Sequence, residues 1–145
     1  MQTLLGFDFG VTKIGVAVGQ TLTATATPLE VVAARDGQPD WSQLDRLIKQ
    51  WRPDAMVVGE PLNMDDSDSP MAQRARKFRN RLADRYHCPV HLVDERLSSR
   101  AARTRQSPRA RRRETKIDAV AAQVILETWL AHASDDATGV RDGPA

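Results

Sequence analysis

Cysteine is nearly missing from this chain: Cys88 stands alone among 145 residues. A single thiol excludes an internal disulfide and suits a reducing compartment, so the cytoplasm is the expected location. Long apolar runs are missing too. No run reaches the ~18 consecutive apolar residues that a membrane-spanning helix requires, so no membrane partner is expected. The opening "MQTLLGFDFG" has neither a basic region nor a small-residue cleavage site, and no secretory signal is expected. Histidine is scarce. His87, His91 and His132 show no metal-ligand spacing and no nucleophile partner, and read as ordinary surface or half-buried residues. Gly6, Gly10, Gly15 and Gly19 fail as a dinucleotide-binding fingerprint, because a hairpin follows them rather than a helix. Trp41 and Trp51 fall on a helical stripe and, with Trp129, read as core rather than as base-stacking platforms.

An apolar content of 41% and a charged content of 28% describe one globular domain, expected over residues 1–132, with 133–145 as a disordered tail. The net charge is only +2, but it is unevenly spread. Residues 96–116 hold nine of the 21 basic residues against one of the 19 acidic ones, a local +8 that leaves −6 elsewhere. Such a block is either a solvated loop or a phosphate-contact surface. Like-charge crowding disfavours compaction unless a polyanion relieves it, which favours the second reading.

Hydrophobic patterning predicts strands at 3–9 and 14–19 joined by "GVTK", then an edge strand at 24–33 that contains Pro28. "DGQP" (36–39) reads as a loop. Trp41, Leu44, Leu47, Ile48 and Trp51 recur at helical spacing behind Asp40, a predicted N-cap, and Pro53 ends that helix. Strands are expected at 55–59 and 89–95. Between them, Ser69–Pro70 starts a helix striped by Met71, Ala75, Phe78, Leu82 and Tyr86. Residues 97–106 read as helix, 107–114 as a basic loop and 116–132 as an apolar helix. Hairpins followed by alternating units imply an α/β fold with a mixed sheet and helices on its faces.

Asp8 interrupts an otherwise buried run, and an unpaired buried carboxylate costs several kcal/mol. Either it hydrogen-bonds the loop amides at Thr12 and Lys13, or it meets a cation. Glu60 and the Asp94–Glu95 pair also lie at the ends of predicted parallel strands, where functional groups collect. Converging carboxylates stay ionised only around a cation, and hard oxygen donors select Mg²⁺ or Mn²⁺ over zinc. Two such ions ~4 Å apart can stabilise the attacking and leaving oxygens of a phosphodiester displacement. Neighbouring strand residues face opposite sides, so only one of Asp94 and Glu95 can enter such a site. Asp118 is a further candidate, although its spacing from Thr115 fits a capping box equally well. Glu60, before Pro61, also reads as an exposed loop residue.

Four blocks, "FDFGVTKIGVAVG" (7–19), "VVGEPLNMD" (57–65), "VDERLSS" (93–99) and "IDAVAAQVILE" (117–127), together resemble the YqgF/RuvX family of pre-16S rRNA nucleases, related to RuvC-type Holliday junction resolvases. The resemblance spans residues 1–132 and implies a ribonuclease H-like fold, with a five-stranded mixed sheet ordered 3-2-1-4-5. It implies a cytoplasmic, metal-dependent hydrolase of phosphodiester bonds that matures the 5′ end of 16S rRNA during ribosome biogenesis, using Mg²⁺ or Mn²⁺. It carries the catalytic and metal-binding positions onto Asp8, Glu95 and Asp118. Gly10, Lys13, Gly15, Asn63, Arg96 and Ser98 also match. Glu60 stands where the family usually has an apolar residue, which makes it a possible extra metal ligand. "NMDDSDS" lacks the family's usual glycine. The segment 100–114 is arginine-rich where many relatives carry glycine-containing loops. The nucleic-acid contacts expected are Lys13, Arg96, Arg100, Arg103, Arg109, Arg111, Arg112, Arg113 and Lys116.

Three rivals follow from the same residues. A junction resolvase acting on branched DNA needs two symmetric cuts and hence a homodimer, whereas an rRNA nuclease can act as a monomer. A non-catalytic RNA-binding assembly factor on ribosomal precursor particles would keep the fold without cutting. Residues 8–18 also suit the phosphate-binding hairpin of actin-like ATPases, but those enzymes enclose nucleotide between two such domains and this chain supplies one.

Overall fold

The computed structural model describes residues 2–62, 65, 67–95 and 114–139, the last segment with side chains at 119–132. In chain order the elements are β1 (Thr3–Asp8), β2 (Lys13–Gln20), β3 (Thr25–Arg35), β4 (Gln38–Pro39), α1 (Trp41–Trp51), β5 (Ala55–Glu60), α2 (Pro70–Tyr86), β6 (Val90–Asp94) and α3 (Glu114–Gly139). The expected helix at 97–106 and the loop at 107–114 lie outside the described residues, except for Glu114, which opens α3 instead. α3 starts two residues before the expected helix and runs into the segment expected as tail.

One mixed sheet has the order β4-β3-β2-β1-β5-β6. β1, β2, β3 and β4 pair antiparallel in succession, whereas β5 lies parallel to β1 and β6 parallel to β5. Five of these strands reproduce the expected 3-2-1-4-5 order. The sixth, β4, falls in "DGQP": Asp36 (φ 49°) and Gly37 (φ 82°) form a two-residue turn that closes a hairpin at the Arg35–Gln38 pair. Two successive positive-φ residues define the turn type that Asp-Gly prefers, because its twist matches that of the flanking strands. β4 covers only Ala34 and Arg35 of β3, and Pro28 lies beside the register irregularity at Val16 and Ala17, a place in a sheet that tolerates proline.

Strand alternation divides the core in two. Leu5, Phe7, Ile14, Val16, Met56 and Val58 face α1 and α2, packing on Leu44, Leu47, Ala75, Phe78 and Leu82. Leu4, Ala17, Ala55, Val57 and Val93 face α3, against Ala122, Ile125, Leu126 and Leu130. Both helices on the first face start as their caps dictate. The Asp40 carboxylate accepts from the Ser42 and Gln43 amides, and the Ser69 hydroxyl accepts from Ala72 with Pro70 in the first turn. All three tryptophans pack against these cores. His91 stacks on Trp129 with ring centroids 4.8 Å apart, an ordinary half-buried histidine.

α3 packs closely on the sheet at Gly6. A Cβ there would fall 2.7 Å from Leu126 Cβ and 3.2 Å from the Ala122 carbonyl oxygen. Neither neighbour is the free end of a flexible side chain, so the helix itself would have to move. Gly6→Ala is therefore expected to cost about 2 kcal/mol of stability, read as a lower urea midpoint with an unchanged slope. An unchanged midpoint would mean that α3 is not held at this distance. Among the described residues, no helix is long and apolar enough to cross a membrane.

Candidate active site

The parallel strands β1, β5 and β6 end together on one edge of the sheet. Phe7 is in register with Val58, so Asp8, the last residue of β1, aligns with Gly59 on the adjacent strand. Gly59 in turn pairs with Val93, and Glu60 with Asp94. Leu4 and Gly6 face α3, and alternation places half-buried Asp8 on that same face. Across β2, Asp8 pairs with Gly15, two residues from Lys13, so Lys13 shares the face as well.

Glu95 reaches the site by crossing β5. Its amide donates to the Glu60 carbonyl oxygen at 3.0 Å, holding the chain beyond β6 against β5. Its side chain then lies over Gly59. A Cβ on Gly59 would be 2.7 Å from Glu95 Oε2 and 2.8 Å from Glu95 Cγ, with Ile125 Cδ1 also 2.7 Å away. The glycine thus leaves the space the carboxyl occupies, on the strand next to the one that carries Asp8. Burial, and then the charge of Asp94, push the Glu95 carboxyl above its ordinary pKa. Burial disfavours the anion, and positive charge nearby favours it.

Glu60 goes elsewhere. It lies on the α2 face, opposite to Gly59, and accepts a 2.6 Å bond from Arg76 Nη1. Arg76 also clasps Asp68 through Nη2 at 2.7 and 2.6 Å, holding the Asp68 carboxyl below its usual range. The structure therefore joins Glu60 to an ion pair with α2 and does not bring it to the Asp8 face. The reason is the alternation that seats Gly59 there.

Asp118 lies on α3 one turn before Ala122, which touches the Gly6 position; its side chain is outside the described residues. So are Arg96, Arg100, Arg103, Arg109, Arg111, Arg112 and Arg113, and the side chain of Lys116. Among the described residues, no three Asp, Glu, His or Cys side chains gather as a metal-binding group. Among the described residues, Asp8 and Glu95 are the acidic pair on the α3 face of this edge. The contribution of Gly59 is absent from the sequence reading. Its signal was the parity of "VVGEP", which becomes usable only once the β1–β5 register is known.

A mixed sheet of this order, flanked by helices and with carboxylates at its parallel edge, is the ribonuclease H-like fold. Its outline resembles that of Thermus thermophilus RuvC solved with a Holliday junction substrate, at a TM-score of 0.55 and 18% identity, covering 92% of this chain and 98% of that one. The family model RuvX, described as Holliday junction resolvase, matches residues 2–132, and the chain belongs to this family. It is 51% identical over 138 residues to a Pseudomonas aeruginosa protein named "Putative pre-16S rRNA nuclease", covering 93% of this chain and 96% of that one. An Azotobacter vinelandii protein of the same name is 52% identical over 133 residues, covering 90% and 94%.

Proposed function

We propose that this protein is a cytoplasmic, divalent-metal-dependent nuclease that cuts precursor 16S rRNA during ribosome biogenesis. The observation that carries the reading is the Glu95 carboxyl laid over Gly59 on the face and edge where β1 presents Asp8. The donors on that face and edge are carboxylate oxygens, and positive charge placed beside the buried Glu95 carboxyl would favour its anion. This donor set fits Mg²⁺ or Mn²⁺, held by Asp8, Glu95 and Asp118. When bound, such an ion supplies an activated water and neutralises charge on the departing oxygen.

The chain's own residues do the rest. Asp8 and Glu95 sit on a strand end and a pinned turn, so their oxygens are pre-positioned. Lys13, on the same face, provides a point charge for the reacting phosphate. The basic segment 96–116 holds flanking phosphates and stations the substrate along the edge. The substrate choice rests on the names of the close relatives. The family description supports a second reading, resolution of branched DNA by a homodimer.

Incubating the protein with precursor rRNA and with a four-way DNA junction, each with and without Mg²⁺, separates the readings. Cleavage of the RNA only with Mg²⁺, falling about a hundredfold in Glu95→Gln, is the expected result. Faster, paired cuts in the junction by a dimer would replace it with the resolvase reading. Tight RNA binding without any cleavage would point to an assembly factor.

A further inference from the structure

On the opposite face of the same edge lies a hollow of about 210 Å³ between the β3–β4 hairpin and α2. We propose that it binds a phosphodiester group of the nucleic-acid strand, as a second contact away from the cleavage carboxylates. This rests on the nuclease reading above and adds a binding site to it.

Arg74, Lys77 and Arg81 border the hollow from one side of α2, a spacing that puts them on a single helical face. All three are exposed, and the one carboxylate in the lining is Asp36. Three cations against one anion leave an excess of positive charge, whereas a structural salt-bridge cluster would balance. Two of the cations are also held in place across the opening. Arg74 Nη2 donates to Asp36 at 3.3 Å, and Arg81 donates to the Gln38 side-chain oxygen. The Asp36 carboxylate, with 80% of its side chain exposed, is free to swing into water when a phosphate arrives. The Gln38 contact to Arg81 survives that exchange and reduces the side-chain entropy lost on binding.

The hollow is closed below by Phe9 and Phe78, whose rings lie 5.2 Å apart, giving a low-dielectric floor that strengthens the attraction. Phe9 directly follows Asp8, and alternation turns it to the α2 face. The hairpin is also wired to the β1–β2 loop: the Gly37 amide donates to the Val11 carbonyl at 2.9 Å and the Ala34 amide to Thr12 at 3.0 Å. Its rim is therefore tied to the loop that follows Asp8 and Phe9. A strand crossing the sheet edge would meet the carboxylates on one side and these cations on the other.

The test measures binding of fluorescent single-stranded RNA in EDTA over a range of salt. The variants are Lys77→Glu and, as a control with the same charge change, Lys49→Glu in the last turn of α1. Lys77→Glu is expected to weaken binding at least tenfold and to lower the salt slope by about 0.7, the value for one single-strand phosphate contact. Lys49→Glu should change affinity less than twofold. Equal losses in the two variants would reduce the effect to overall charge and overturn the site. A parent protein that binds RNA while Lys77→Glu loses nothing would overturn the hollow alone; a parent that binds neither RNA nor DNA would overturn the nuclease reading with it.

Discussion

Asp8→Asn is expected to slow Mg²⁺-dependent cleavage about a thousandfold while the melting temperature in EDTA stays within about two degrees of the parent. The two halves of that result have separate causes. Asn has the shape of Asp and keeps an oxygen acceptor at Oδ1, and the site is half-buried at a strand end, so folding loses little. What disappears is the negative charge that would hold the cation, and a change of about 4 kcal/mol in the barrier corresponds to three powers of ten in rate.

A second readout does not depend on activity. Ligand binding to the native state raises its stability in proportion to ln(1 + [L]/Kd), so millimolar Mg²⁺ should raise the parent's melting temperature and leave that of Asp8→Asn unmoved. If the variant cut within tenfold of the parent, Asp8 would not be part of the site. If it cut poorly yet gained the same stabilisation from Mg²⁺, the ion would be bound elsewhere.

Much of this arrangement could be read from the chain, because its signals are local. The stripe from Met71 to Tyr86, the Ser69–Pro70 start and the Asp40 cap are all read within a single helix, and all three are realised. The three parallel strand ends follow from short apolar runs that finish in a carboxylate. The β4 hairpin escapes hydrophobic patterning because a two-residue strand has no periodicity, although Asp-Gly signals such a turn. Glu60 and Gly59 show the deeper difficulty. A charge at a strand end attracts attention and a glycine does not. Which of the two faces Asp8 depends on the Phe7–Val58 register, a contact between segments fifty residues apart. No local pattern encodes that parity, so the sequence marks Glu60 by its charge and leaves Gly59 unmarked.

Gly59→Ala should accordingly damage chemistry more than stability. The added methyl would sit 2.7 Å from Glu95 Oε2, 2.8 Å from Glu95 Cγ and 2.7 Å from Ile125 Cδ1. These are all parts of flexible side chains, so the clash can be relieved without moving a strand or the helix backbone. The stability cost should be about 1 kcal/mol, a fall of a few degrees in melting temperature. Relief comes largely by swinging Glu95 away from Asp8, and a carboxylate displaced by about 1 Å can lower the rate roughly a hundredfold. Cleavage is therefore expected to fall by about that factor, with the concentration of Mg²⁺ needed for half-maximal activity rising in parallel. Gly6→Ala supplies the contrast, because its methyl meets Leu126 Cβ and a helix carbonyl and can be accommodated only by shifting α3. A Gly59→Ala protein that retained full activity and its Mg²⁺ requirement would show that Glu95 works from some other position than the one over Gly59. A variant that unfolded outright would show that the Ile125 contact, rather than the carboxyl, sets the limit at this glycine.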